Sequence, residues 1–188
     1  MIWLILGIVV FLGIHSVRMV APEFRQSMIE KLSLGGWKGI YTLITFSGLI
    51  LMVWGFSQAR LDPIYVYEPP SFLRHLAHGL IWVAFVSLAA AELPVGRIKA
   101  TLKHPMITGI KIWAFSHLLV NGDLASVLLF GSLLAWSIWN RIAVKRRGGE
   151  VLVAGPIGND IIAVAAGTAI YAVIAFWAHG WLIGVPLF

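Results

Sequence analysis

Long apolar stretches alternate with short breaks that carry the charges, prolines and glycines. A helix that crosses a bilayer needs about 20 mainly apolar residues. On that measure the pattern predicts six spans: Ile2 to Val20, Gly39 to Ala59, Phe72 to Ala91, Pro105 to Val120, Leu124 to Ile142 and Asp160 to Ile183. The fourth is the shortest and contains Lys111, and Asn121-Gly122-Asp123 predicts a tight turn between it and the fifth. Pro22, Pro63, Pro69, Pro70, Pro94 and Pro156 all lie outside the apolar runs, where a missing N–H does little harm. Pro105 stands at a first helical position behind His104. Gly148-Gly149 and Gly158 mark a loop before the last span. The apolar start Met1-Ile2-Trp3-Leu4 reads as a retained first span and not a cleaved signal. No repeat or linker divides the chain, so residues 1–188 are expected to form one transmembrane domain.

Composition agrees with that pattern. Of the 188 residues 60% are hydrophobic and 12% charged, with a mean hydropathy of +0.90. Soluble domains carry about twice that share of charge, so lipid must solvate much of this surface. The net charge of +6 does not indicate a nucleic-acid binder, because the basic residues cluster between apolar runs. Arg18, Arg25, Lys31 and Lys38 mark the first connection, Arg97, Lys99 and Lys103 the third, and Arg141, Lys145, Arg146 and Arg147 the fifth. The second holds Arg60, with Arg74 just inside the next span, and the fourth none. The expected fold is therefore all-α and integral to the membrane, a six-helix bundle with odd loops cytoplasmic and both termini on the other side. Cysteine is absent, which removes disulfides and thiolate ligation.

Ionisable groups inside a bilayer are costly and become functional candidates. These are His15, His75, His78, Lys111, His117 and His179, with His104 and Glu92 near the interfaces. Histidine is tolerated when neutral and is a common iron ligand. His15 and Arg18 share a helical face, where the guanidinium could meet a haem propionate or snorkel to phospholipid. Trp113, His117 and Asn121 fall at i, i+4, i+8, setting an imidazole between an aromatic plate and an amide. That is a ligand with an orienting neighbour, or else a packed, hydrogen-bonded histidine. His104 and His117 point to different faces, whereas Lys111 shares the face of His104 and could snorkel or neutralise an acidic group. His75 and His179 suit the interface, His179 lying between Trp177 and Trp181; His78 is more open. Glu92, Asp123 and Asp160 fall at span ends, where solvation or helix capping is expected. No P-loop, zincin pattern, intramembrane carboxylate pair or catalytic triad is present in the sequence.

Three segments together carry a resemblance: His15-Ser16 with Arg18; His104-Pro105 followed by Gly109 and Trp113; and His117-Leu118-Leu119 with Asn121-Gly122-Asp123. Over most of its length the chain resembles the NnrU family of bacterial membrane proteins, which is linked to denitrification and nitric oxide reductase production. That family is related to the plant 15-cis-zeta-carotene isomerase, a membrane enzyme carrying haem b. The resemblance implies His15 and His117 as axial ligands of haem b, with His78 and His104 as lesser candidates. A haem held there would have Arg18 or Lys111 near its propionates, and the helical spacing sets Trp113 and Asn121 beside His117. The resemblance also implies the bacterial cytoplasmic membrane, nitrogen-oxide reductase components as partners, and an apolar or gaseous small ligand. Ala114 stands where the isomerase has a cysteine, so the isomerase's thiol chemistry does not transfer with the rest.

On a straight six-span topology the depths of His15 and His117 differ by roughly 10 Å, an offset that tilt can absorb. Depth alone would instead pair His117 with His78 or His179. The main alternative is a non-enzymatic accessory or assembly factor with structural histidines. A transporter ranks below both, because matching halves with broken spans are not evident in the sequence.

Overall fold

The computed structural model describes residues 1–148, 152–185 and 187. Its helices are α1 (Ile2–Val20), α2 (Pro22–Ala59), α3 (Leu73–Glu92), α4 (Arg97–Leu102), α5 (Pro105–Leu118), α6 (Leu124–Arg146) and α7 (Ile157–Val173). A π-helical turn, Ile174–Ala178, joins α7 to α8 (His179–Ile183). Among the described residues no strand forms, and an isolated antiparallel bridge pairs Tyr65 with Asp123.

Among the described residues five helices are long and apolar enough to cross a bilayer: α1, α2, α3, α6 and the continuous run Ile157–Ile183. The remaining expected span, α5, has 14 residues. At 1.5 Å per residue it is about 21 Å long, short of a hydrocarbon core of about 30 Å.

The distribution of side chains is inverted relative to a water-soluble protein. Large apolar residues such as Leu43 (70% exposed), Ile50 (65%) and Phe176 (70%) face outward. The buried positions are mostly small, among them Ala77, Ala84, Ala114, Ala163, Ser87 and Ser116. That is the arrangement of helices packed in lipid, where small residues bring backbones together and no hydrophobic force separates inside from outside. Three buried serine hydroxyls find partners on their own helix: Ser16 donates to Leu12 O at 2.6 Å, Ser87 to Val83 O at 2.8 Å and Ser116 to Ile112 O at 2.6 Å. The chain is a helical membrane protein.

Two compact units can be distinguished, residues 1–67 with 122–132, and residues 68–121 with 133–188. In the first, α1 packs along α2 at three glycines. Gly7 meets the backbone of Leu51 and Met52, Gly48 that of Phe11, and Gly55 that of Trp3 and Leu4. Leu4, Ile8, Met52, Ala59 and Ala125 form the adjoining core. Val66 N–H donates to Gly122 O at 2.8 Å and Leu124 N–H to Ile64 O at 2.7 Å, tying the α2–α3 connection to the start of α6. Asp123 caps α6, accepting from Ser126 N–H at 2.9 Å and from its hydroxyl at 2.6 Å.

The second unit is centred on α3, which packs against α5 and α7. Trp82 Nε1 donates to Thr168 Oγ1 at 2.9 Å, and Gly167 lies against the backbone of Val86. Asp160 is a capping residue, as its position suggested, but it caps a neighbour as well as sitting in the first turn of α7. Its carboxylate accepts from Arg97 N–H at 3.0 Å and Ile98 N–H at 2.9 Å, at the start of α4. Asn159 Nδ2 donates to Val95 O at 2.9 Å beside it. Lys99 Nζ closes the end of α3 by donating to Ala91 O and Leu93 O at 2.7 and 2.8 Å.

The largest departure from the sequence expectation is at α2. It starts at Pro22 and not at Gly39, so the expected first loop is a helix and the break after α1 shrinks to Ala21. Pro22 occupies the first turn, and residues 23–32 are mostly good helix formers, with Gln26 Nε2 donating to Glu30 Oε1 at 3.0 Å. Hydropathy missed this stretch because it is polar enough to lie at a membrane surface. Ser33, at φ 64° and ψ 166°, interrupts the helix before the apolar part resumes. Of the expected Gly148-Gly149 loop, Gly148 takes a positive φ of 77°, while Gly149 lies outside the described residues.

Candidate functional site

His15 sits one turn before the end of α1. Its Nδ1 lies 2.6 Å from the carbonyl oxygen of Phe11, four residues back. A carbonyl only accepts, so Nδ1 carries the proton and the neutral ring places its lone pair on Nε2. The imidazole lies over Phe11, with ring centroids 4.3 Å apart, and meets the edge of Tyr41 at 5.3 Å. Tyr41 and Trp37 stand one turn apart on α2, and Trp37 is 5% exposed.

A cavity of about 250 Å³ opens here, lined among others by His15, Arg18, Arg25, Trp37, Lys38 and Tyr41. Arg18 therefore stands beside His15, as their spacing implied. Arg25 and Lys38, counted in the sequence only as topology charges, join them because α2 is already helical at Pro22. Trp37 and Tyr41 were not picked out from the sequence, although their i, i+4 spacing was visible there.

His117 occupies the last turn of α5 and repeats the arrangement at His15. Its Nδ1 lies 2.9 Å from Trp113 O, again four residues back, so its lone pair is also on Nε2. The Trp113 ring is 4.7 Å from the imidazole at an angle of 52°, the aromatic plate that the spacing predicted. Asn121 Nδ2 donates to the backbone carbonyl of His117 at 2.9 Å, closing the helix end. Ala114 is fully buried on the same helix. Lys111 is half-buried two turns before Leu118. His179, in α8, lies within electrostatic range of His117, and its Nδ1 donates to Val185 O at 2.7 Å.

The other candidates have different surroundings. His78 Nδ1 shares a hydrogen bond of 3.2 Å with the hydroxyl of Tyr171, 93 residues away along the chain. His75 is exposed one turn before it. His104 is the N-cap residue of α5, ahead of Pro105, and its carbonyl accepts from Thr108 N–H at 3.1 Å. Burial, then the charges of Arg141 and Lys103, hold its imidazole below the ordinary value of 6.5. Glu92 ends α3 and is exposed. Among the described residues no group of three or more His, Cys, Asp or Glu side chains is placed to hold a metal ion. A porphyrin iron needs only one or two protein ligands, so that finding does not bear on haem.

The family model described as NnrU protein matches residues 3–187, nearly the whole chain. No curated protein and no solved structure matches it. With its helices, its histidines and this match taken together, the chain belongs to the NnrU family.

Proposed function

We propose that this protein binds haem b in the cytoplasmic membrane of a bacterium, with His15 and His117 as its axial ligands, and that it serves nitrogen-oxide metabolism. The observation that carries this reading is the tautomer shared by the two histidines. Each donates Nδ1–H to a carbonyl of its own helix, so Nε2 is the ring nitrogen that would ligate iron. Iron-ligating histidines are commonly oriented in this way by a hydrogen bond at the other ring nitrogen. The role in nitrogen-oxide metabolism rests on the family likeness, as does the expectation of reductase components as partners.

Haem, if held by His15 and His117, would supply one-electron chemistry. The protein's own contribution is to fix both rings and to keep the surroundings apolar. Trp113 flanks one ring, and Phe11 and Tyr41 flank the other. Arg18 beside His15 and Lys111 on α5 are the cations this reading assigns to the propionates. With Ala114 in place of the isomerase's cysteine, isomerase chemistry here would have to run without a thiol.

For topology, the reading is six crossings with both termini away from the cytoplasm. In its support, the bridge between Tyr65 and Asp123 ties the start of α6 to the connection that precedes α3. An even number of crossings between those two points fits that reading.

The test is an absorbance spectrum of the purified protein after haem-replete expression, oxidised and reduced. A Soret band that is lost or shifted in both His15→Ala and His117→Ala is the expected result. A wild-type protein with no Soret band refutes the haem reading. If such a protein and both variants still complemented a deletion strain, the histidines would be structural and the protein an accessory factor.

A further inference from the structure

The cavity beside His15 is lined by two cations, Arg25 and Lys38, that the haem reading does not use. Its lining includes Arg18, Arg25 and Lys38, and no lining residue is acidic. The three cations come from separate places in the chain. Arg18 ends α1, Arg25 lies in the polar first segment of α2, and Lys38 follows the interruption at Ser33. That interruption lets the polar segment 22–32 and the apolar segment 34–59 take different courses, and the cations meet where they diverge. Arg25 and Lys38 on a cavity whose lining holds no carboxylate make a surface suited to an anion.

The other walls indicate what kind of anion. Ile14, Val17 and Leu34 are apolar, and Trp37 and Tyr41 are the amphipathic aromatics typical of a membrane–water boundary. At about 250 Å³ the cavity is smaller than the roughly 300 Å³ at which pockets for whole drug-sized ligands begin. It accommodates a headgroup whose chains stay in the surrounding lipid. With no carboxylate in the lining, an ethanolamine or choline ammonium would enter a purely cationic environment unpaired.

We infer that this cavity is a binding site for the phosphate headgroup of an anionic glycerophospholipid such as phosphatidylglycerol or cardiolipin. Arg25 and Lys38 are the principal phosphate ligands, Arg18 completes the positive rim, and Trp37 with Tyr41 forms the wall at the depth of the glycerol. Basic pockets between transmembrane helices are a known means of holding such lipids. The site rests on the lining of the cavity alone and does not depend on haem being bound.

The test is native mass spectrometry of the full-length protein in a mild non-ionic detergent, titrated separately with phosphatidylglycerol, cardiolipin and phosphatidylethanolamine. Anionic lipid is expected to bind at least tenfold more tightly than phosphatidylethanolamine. Removing one cation, in Arg25→Gln or Lys38→Gln, should weaken anionic lipid about fivefold. Lys38→Arg should retain it, and Lys145→Gln, outside the lining, should change nothing. Equal affinity for anionic and zwitterionic lipid overturns the proposal, as does wild-type affinity in the Arg25→Gln/Lys38→Gln double variant. Displacement of the lipid by millimolar inorganic phosphate would reassign the site to a free anion. Haem absorbance is read in parallel. A double variant that loses the Soret band while keeping its lipid would assign these cations to haem carboxylates and overturn the lipid reading.

Discussion

Replacing Gly48 with alanine places a methyl group against the neighbouring helix. The new Cβ would lie 2.8 Å from Phe11 N, 3.0 Å from its Cα and 3.1 Å from its Cβ. Two of these atoms are backbone, which no side-chain rotation can move aside. To restore ordinary contact at 3.4 Å, α1 must retreat locally by about 0.6 Å. A gap of that size forfeits roughly a quarter to a half of each dispersion contact it opens. Overpacking of this kind costs about 1–3 kcal/mol, partly offset by the roughly 1 kcal/mol that alanine gains over glycine within a helix. Gly13 on α1 is the control, because a Cβ there meets nothing within 4 Å and only the propensity gain applies. The expected difference in stability between Gly13→Ala and Gly48→Ala is therefore about 1–3 kcal/mol, in favour of the former. Reversible unfolding in mixed micelles, followed by circular dichroism, measures it. Equal stability of the two variants would refute the claim that glycine at this contact sets how closely α1 and α2 approach.

Two further outcomes follow from hydrogen bonding and charge. Asp160→Ala removes two carboxylate–backbone hydrogen bonds and should destabilise the start of α4 by about 1–2 kcal/mol. Hydrogen exchange at the Arg97 and Ile98 amides should accelerate, and unchanged protection there would count against the cap. His104 gives a pH dependence of definite sign. Its folded imidazole protonates below the ordinary value of 6.5, while the unfolded one protonates near it. Unfolding therefore takes up a proton between the two values, and the protein should lose stability as pH falls below about 6.5. In thermal melts across that range, His104→Asn should show a shallower decline than wild type, and parallel curves would exclude His104 as the source.

The apolar runs made the long helices legible, since hydropathy is a local property: α1, α3 and α6 begin and end within a few residues of where the pattern placed them. Segment 22–32 was not legible as helix, because its helical signal is a first-turn proline and good helix formers in a polar stretch. At the candidate site, local geometry could be read in advance. The face shared by Trp113, His117 and Asn121 follows from the helical period, and so does the proximity of His15 and Arg18. The partners supplied by distant segments could not be read. Tyr171 beside His78, Thr168 beside Trp82 and Asp160 at the start of α4 depend on helix packing that a single chain's pattern does not encode. The Nδ1 hydrogen bonds of His15 and His117 fall between these cases. A carbonyl four residues back exists for every interior helical histidine, but the rotamer that reaches it is fixed by surroundings such as Tyr41.

The π-helical turn at Ile174–Ala178 changes the phase of the final helix. Tyr171 and His179 stand eight positions apart, which in an uninterrupted α-helix would rotate them about 80° from one another. A wide turn absorbs one residue, leaving an effective separation of about seven, close to two full turns. His179 is thereby brought back towards the azimuth of Tyr171, whose hydroxyl contacts His78. Deleting one residue between Ile174 and Ala178 would let the helix close into regular form while conserving that alignment. Inserting one would swing His179, with Trp177 and Trp181 around it, towards a different face.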